Sequence, residues 1–87
     1  MITAVLDTNV LASGVVGISD SVSLPGAILR FWAFDGFHLV VSEHILTELT
    51  RTLSKPYFRS RSSAEERDRI IALLQRDATV VPITARV

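Results

Sequence analysis

Apolar and polar positions fall in blocks that change period along the chain. Ile2 to Leu6 is a short apolar run, the pattern of a strand buried on both faces, and Asp7-Thr8-Asn9 stops it. Each of these three is a good helix N-cap. Val10, Leu11, Ala12 and Val15 follow at helical spacing until Gly17. Gly17 to Ser23 reads as a loop, and Pro25 suits the first turn of a second helix carrying Ile28, Leu29, Phe31 and Trp32 as far as Asp35-Gly36. Phe37 to Val41 reads as a second strand. Ser42 caps a third helix, whose stripe of Ile45, Leu46, Leu49 and Leu53 runs up to Lys55-Pro56. Ser63, with Glu66 three residues on, forms a capping box that opens a fourth helix through Ile70, Ile71, Leu73 and Leu74. Ala78 to Ile83 reads as a third strand, with Pro82 at an edge, a bulge or the strand's end.

Strands separated by helices imply parallel pairing through right-handed crossovers, an α/β sheet with helices on both faces in the order βααβααβ. Three strands make a narrow sheet for this class, and four residues follow the third strand with no closing helix. The pattern predicts one domain over residues 1–87 that lacks its C-terminal part.

Composition narrows the setting. A chain of 87 residues buries only about 60–65% of the surface it exposes when unfolded. Yet 48% of its residues are hydrophobic and its mean hydropathy is +0.39, more apolar than so small a domain needs, which points to surface that meets a partner. Nine Lys+Arg balance nine Asp+Glu, so net charge argues neither for nor against nucleic acid. The absence of cysteine excludes disulfides and thiolate metal sites, and with no secretory signal and no membrane-length apolar run the chain reads as cytoplasmic, with no membrane partner.

Two acids stand out by position. Ligands of open α/β sheets bind beyond the carboxyl ends of the strands, where Asp7 and Ser42 both fall. A helix cap alone also accounts for Asp7. On the third helix, about 100° per residue puts Glu43 opposite the apolar stripe, a solvated first-turn acid, and Glu48 at its flank, where a partly desolvated carboxylate needs a partner. Arg51 or water suffices for that; a hard cation such as Mg²⁺ or Mn²⁺ shared with Asp7 is the functional alternative.

At these residues a family resemblance enters. "LDTNVL" after the first strand, "VVSEHILTELTRTL" opening from the second, and the "LSKPYFR" that follows resemble the PIN-domain nucleases. The resemblance implies a PIN-like fold and a metal-dependent endoribonuclease. In it Asp7 and Glu48 are the catalytic, metal-holding acids for Mg²⁺ or Mn²⁺, supported by Thr8, Asn9 and Ser42. It further implies an RNA substrate, the toxin role of a toxin–antitoxin pair with a cognate antitoxin, and a homodimer. The family continues past the third strand into further acids, so the resemblance covers its N-terminal two-thirds and implies an inactive chain with weak metal binding.

Rival readings remain. A haloacid-dehalogenase-like phosphotransferase also has an Asp after its first strand, but needs a second acid where Asn9 stands. A non-catalytic partner-binding or dimerisation fragment fits the apolar excess, with unpaired sheet edges as the surface that self-associates. Between Arg51 and Arg61 lie Arg51, Lys55, Arg59 and Arg61, no acid, and the rings of Tyr57 and Phe58: a strip able to meet RNA phosphates and stack on a base, or an ordinary solvated helix end. His38 and His44 read as structural or surface residues, and aromatics at the spacing of Phe31, Trp32 and Phe34 as core.

Overall fold

The computed structural model describes residues 2–20 and 22–82. In chain order the elements are β1 (Thr3–Val5), α1 (Thr8–Gly17), α2 (Leu24–Ala33), β2 (His38–Ser42), α3 (Glu43–Leu53), α4 (Pro56–Arg59), α5 (Ala64–Asp77) and β3 (Thr79–Val81). Four of the five helices start on the same device. Asp7, Ser23, Ser42 and Ser63 sit in extended backbone, and each side chain accepts from the amide three residues on, at 2.9 to 3.0 Å. At Ser63 the bond is reciprocated, since Glu66 Oε1 accepts from the Ser63 amide at 2.8 Å.

The three strands pair in parallel in the order β1-β2-β3, with Thr3 opposite His38, Val5 opposite Val40, Val40 opposite Thr79 and Ser42 opposite Val81. Leu39 and Val41 of the central strand point into one buried cluster with Leu11, Ala12, Val15, Leu49, Leu53 and Leu74. On the opposite face Thr3 and Val5 of β1 and Thr79 and Val81 of β3 are exposed, Val5 at 72%. The two-faced covering expected from the strand–helix alternation is therefore realised on one face among the described residues. Crossovers of one hand between strands that advance in one direction deliver every helix to the same side. For the same reason β1, expected to be buried on both faces, exposes Val5.

Other departures are local. The 53–63 connection holds a helical turn, α4, that makes the order βααβαααβ. Proline supplies a helical φ without needing its amide, so Pro56 starts a new turn where α3 cannot continue. Pro82 follows the end of the edge strand β3, where its missing N–H costs no ladder bond, and Ile83 lies outside the described residues.

α1 and α2 form a close hairpin. A Cβ at Gly26 would overlap the Gly17 carbonyl, and one at Gly17 would overlap Ser23. Arg30 Nη1 donates to the carbonyl of Ile18 at 2.5 Å, tying α2 to the end of α1. Trp32 is 5% exposed, as a core residue should be, whereas Phe31 and Phe34 are 60% and 85% exposed.

Helix propensity favours alanine over glycine by about 1 kcal/mol, so an unconstrained Gly26→Ala would stabilise. Overlap with Gly17 reverses the sign: Gly26→Ala is expected to cost about 1–3 kcal/mol in urea unfolding, against about 2–5 kcal/mol for the fully buried Leu49→Ala. The Ser63 amide, then its hydroxyl, holds the Glu66 carboxyl below its ordinary range. A depressed folded-state pKa stabilises the fold above the ordinary glutamate range, and that contribution is lost as pH falls through the lowered value. Urea titrations at about pH 7 and about pH 3 are therefore expected to show a smaller acid loss in Glu66→Gln than in the wild type.

Candidate functional site

Asp7 occupies the junction where β1 ends and α1 begins. Its Oδ1 accepts the Val10 amide at 2.9 Å, which fixes the carboxylate at the head of the helix, and the residue is exposed. Ser42 has the same position between β2 and α3, its hydroxyl accepting the Ile45 amide at 3.0 Å. Val5 pairs with Val40, so continuing that register by two residues brings Asp7 level with Ser42 at the carboxyl edge of the sheet.

Glu48 lies five residues into α3. Thr50, Leu53 and Ser54 share a cavity of about 260 Å³ with Arg67, Asp68 and Ile71 of α5, so that side of α3 faces α5. At about 100° per residue Glu48 falls on the other flank, toward α1. The heads of α1 and α3 share the carboxyl edge of the sheet. Glu48 Oε1 accepts from Arg51 Nη1 at 3.1 Å, with His44 Nε2 at 3.8 Å, and its side chain is 33% exposed. The carboxylate at the rim has found the arginine that the sequence offered it.

Among the described residues no hydrogen bond joins Asp7 to Glu48, and neither Thr8, which is half-buried, nor the exposed Asn9 hydrogen-bonds Asp7. No group of three or more His, Asp or Glu forms a metal cage among them. The donors have the right chemistry, hard carboxylate oxygens suited to Mg²⁺ or Mn²⁺, but are few, which leaves most of a coordination shell to water or phosphate.

The basic strip divides. Arg51 lies beside Glu48. Lys55, Arg59 and Arg61 lie at and beyond the far end of α3, about 16 Å along the helix from its head. Arg61 folds back over the Tyr57 ring, 3.7 Å from its centroid, and donates to the Tyr57 carbonyl at 2.9 Å. Phe58 packs against the core, leaving Tyr57 as the exposed ring, with Arg61 over it. Arg59 lines the cavity with Arg67 and Asp68, two residues that helical periodicity alone does not single out. His38 bonds Thr79 Oγ1 across the β2–β3 pair at 2.6 Å, the structural role expected of it.

With this geometry in place, the family assignment is direct: the family model described as PIN domain matches residues 3–87. The chain belongs to the PIN-domain family. PIN domains are as a class nucleases, and Asp7, Glu48 and their neighbours are candidate site residues within that class. The small α/β fold with its three-stranded parallel sheet and five helices agrees with the assignment, and the phosphotransferase alternative falls with it. Comparisons with curated proteins and with solved structures give no match. No described helix of this PIN domain is long and apolar enough to cross a membrane.

Because the Asp7 cap needs only a side-chain oxygen, Asp7→Asn is expected to leave the melting temperature nearly unchanged, while Asp7→Ala loses about 1 kcal/mol by thermal denaturation.

Proposed function

We propose that this PIN domain acts as a metal-dependent endoribonuclease, as the toxin partner of a cognate antitoxin, with Asp7 and Glu48 holding Mg²⁺ or Mn²⁺ and Thr8, Asn9 and Ser42 supporting them. The observation that carries the reading is the β1–β2 register, which aligns Asp7 with Ser42 at the carboxyl edge of the sheet, at the head of the helix that carries Glu48. A divalent ion held by Asp7 and Glu48 at this edge would supply Lewis-acid polarisation of a phosphodiester and lower the pKa of the attacking water so that it can give up its proton.

The protein's own part is positioning. The Val10 amide holds Oδ1 of Asp7, leaving Oδ2 directed by a fixed carboxylate rather than a rotating one. Arg51 holds Glu48 through one N–H, and a guanidinium has five, so Arg51 can contact an RNA phosphate without releasing its partner. Lys55, Arg59 and Arg61 are then contacts for RNA several nucleotides from the cut, since they lie beyond the far end of α3. With two carboxylates the ion is held weakly, which makes millimolar metal the appropriate condition.

In amide NMR spectra, Mn²⁺ is expected to broaden resonances around Asp7, Ser42 and Glu48 first, and Asp7→Asn is expected to abolish that pattern while keeping the fold. Broadening centred elsewhere removes the metal assignment. Any Mn²⁺-dependent cleavage of single-stranded RNA is expected to vanish in Asp7→Asn and Glu48→Gln; cleavage retained in Asp7→Asn overturns the catalytic role.

A further inference from the structure

His44 has metal-binding chemistry that the proposed function leaves unused. It stands four residues before Glu48 on α3, and its Nε2 lies 3.8 Å from Glu48 Oε1. Side chains at this spacing are neighbours on a helix surface, about 40° apart around the axis and one turn apart along it. Two histidines so spaced share one ion in helical zinc sites. Two ligands each about 2.0–2.2 Å from an ion are about 3 Å apart, so the pair has less than one ångström to close. With the side chains 64% and 33% exposed, a small rotation of either achieves it. Nothing else engages the imidazole: among the described residues His44 makes no hydrogen bond, whereas Nε2 of His38 is taken by Thr79 Oγ1 at 2.6 Å. The competitor for Glu48 is Arg51, whose Nη1 donates to the same Oε1 at 3.1 Å. An exposed ion pair of this kind is weak, and the carboxylate has a second oxygen to offer.

We propose that His44 and Glu48 form a two-residue chelate for a first-row transition ion, in which His44 turns the preference of Glu48 away from Mg²⁺. The nitrogen makes the difference. Mg²⁺ takes oxygen ligands and gives up its water reluctantly, while Co²⁺, Ni²⁺ and Zn²⁺ accept imidazole nitrogen and carboxylate oxygen together. No group of three His, Asp or Glu lies within reach of one ion among the described residues, so such an ion keeps water in its other positions. The inference rests on the proposed function only in taking Glu48 as a metal ligand, and it requires nothing of Asp7.

Zn²⁺ is a suitable probe because it is diamagnetic, and the chain has two histidines, one of which serves as the internal control. Titrated into the 87-residue protein at micromolar to millimolar concentration, Zn²⁺ is expected to move the side-chain nitrogen resonances of His44 to saturation and to leave those of His38 in place. Mg²⁺ is expected to move neither. Both His44→Gln and Glu48→Gln replace exposed groups, so the fold should persist while the Zn²⁺ dissociation constant rises about tenfold or more, the loss of one of two ligands. Arg51→Ala removes the competing cation and should tighten binding about twofold to fivefold. Asp7→Asn should leave the Zn²⁺ titration of His44 unchanged even where it abolishes the Mn²⁺ broadening around Asp7, which separates this inference from the proposed function. His44 resonances that stay in place, a Zn²⁺ affinity unaltered in Glu48→Gln, or a Zn²⁺ response lost in Asp7→Asn would each overturn the two-residue chelate.

Discussion

Strand order is the constraint from which the molecule's other features follow. The sheet advances β1, β2, β3 without a reversal, and crossovers of one hand then lay α1, α3 and α5 on the same face. That face becomes the core, and β2, between two partners, contributes its most buried strand residues, Leu39 and Val41. The same order sends the head of α1 and the head of α3 to one edge of the sheet, which is why an aspartate and a serine chosen as helix caps also become neighbours at the place where α/β sheets bind ligands. Core, bare face and candidate site are three consequences of one topology.

The candidate site shows a carboxylate serving two ends. At Asp7, capping occupies one oxygen and orients the other, so under the proposed function stability and metal binding would draw on different atoms of the same group. At Glu48 the cation of the proposed function would compete directly with Arg51, which already holds the same carboxylate. An exposed pair of this kind contributes at most a few tenths of a kcal/mol, so its release for a stronger ligand is energetically minor.

Much of this was legible in the sequence, and the reasons are specific. The caps at Ser42 and Ser63 announced their helices because short polar side chains before an apolar stripe have few other uses, and Asp7 could be placed at a strand-to-helix junction from the run that precedes it. The flank position of Glu48 followed from helical periodicity alone. What periodicity does not hold is which elements become neighbours. The one-sided covering of the sheet depends on strand order, and a local pattern carries no information about it. The apolar run of β1 looked doubly buried because its residues are the kind a second layer covers. Phe31 and Phe34 read as core for the same reason, while Trp32, on the same helix, shares the buried side with Gly26 and Leu29, and the two outward rings fall about 100° and about 160° around the helix from it. The basic strip was visible as composition, but its distance from Asp7 was not, since that depends on the direction in which α3 runs.

Trp32 is the single tryptophan of the chain, buried where α2 turns toward β2 and facing a small cavity shared with Phe37, His38 and Asp77. An indole so enclosed emits at short wavelength and shifts to the red when water reaches it. The hairpin of α1 and α2 and the start of the central strand meet around this one ring, and no other fluorophore of its kind competes with it. The protein therefore carries an intrinsic optical gauge of whether that corner is closed, readable without any label.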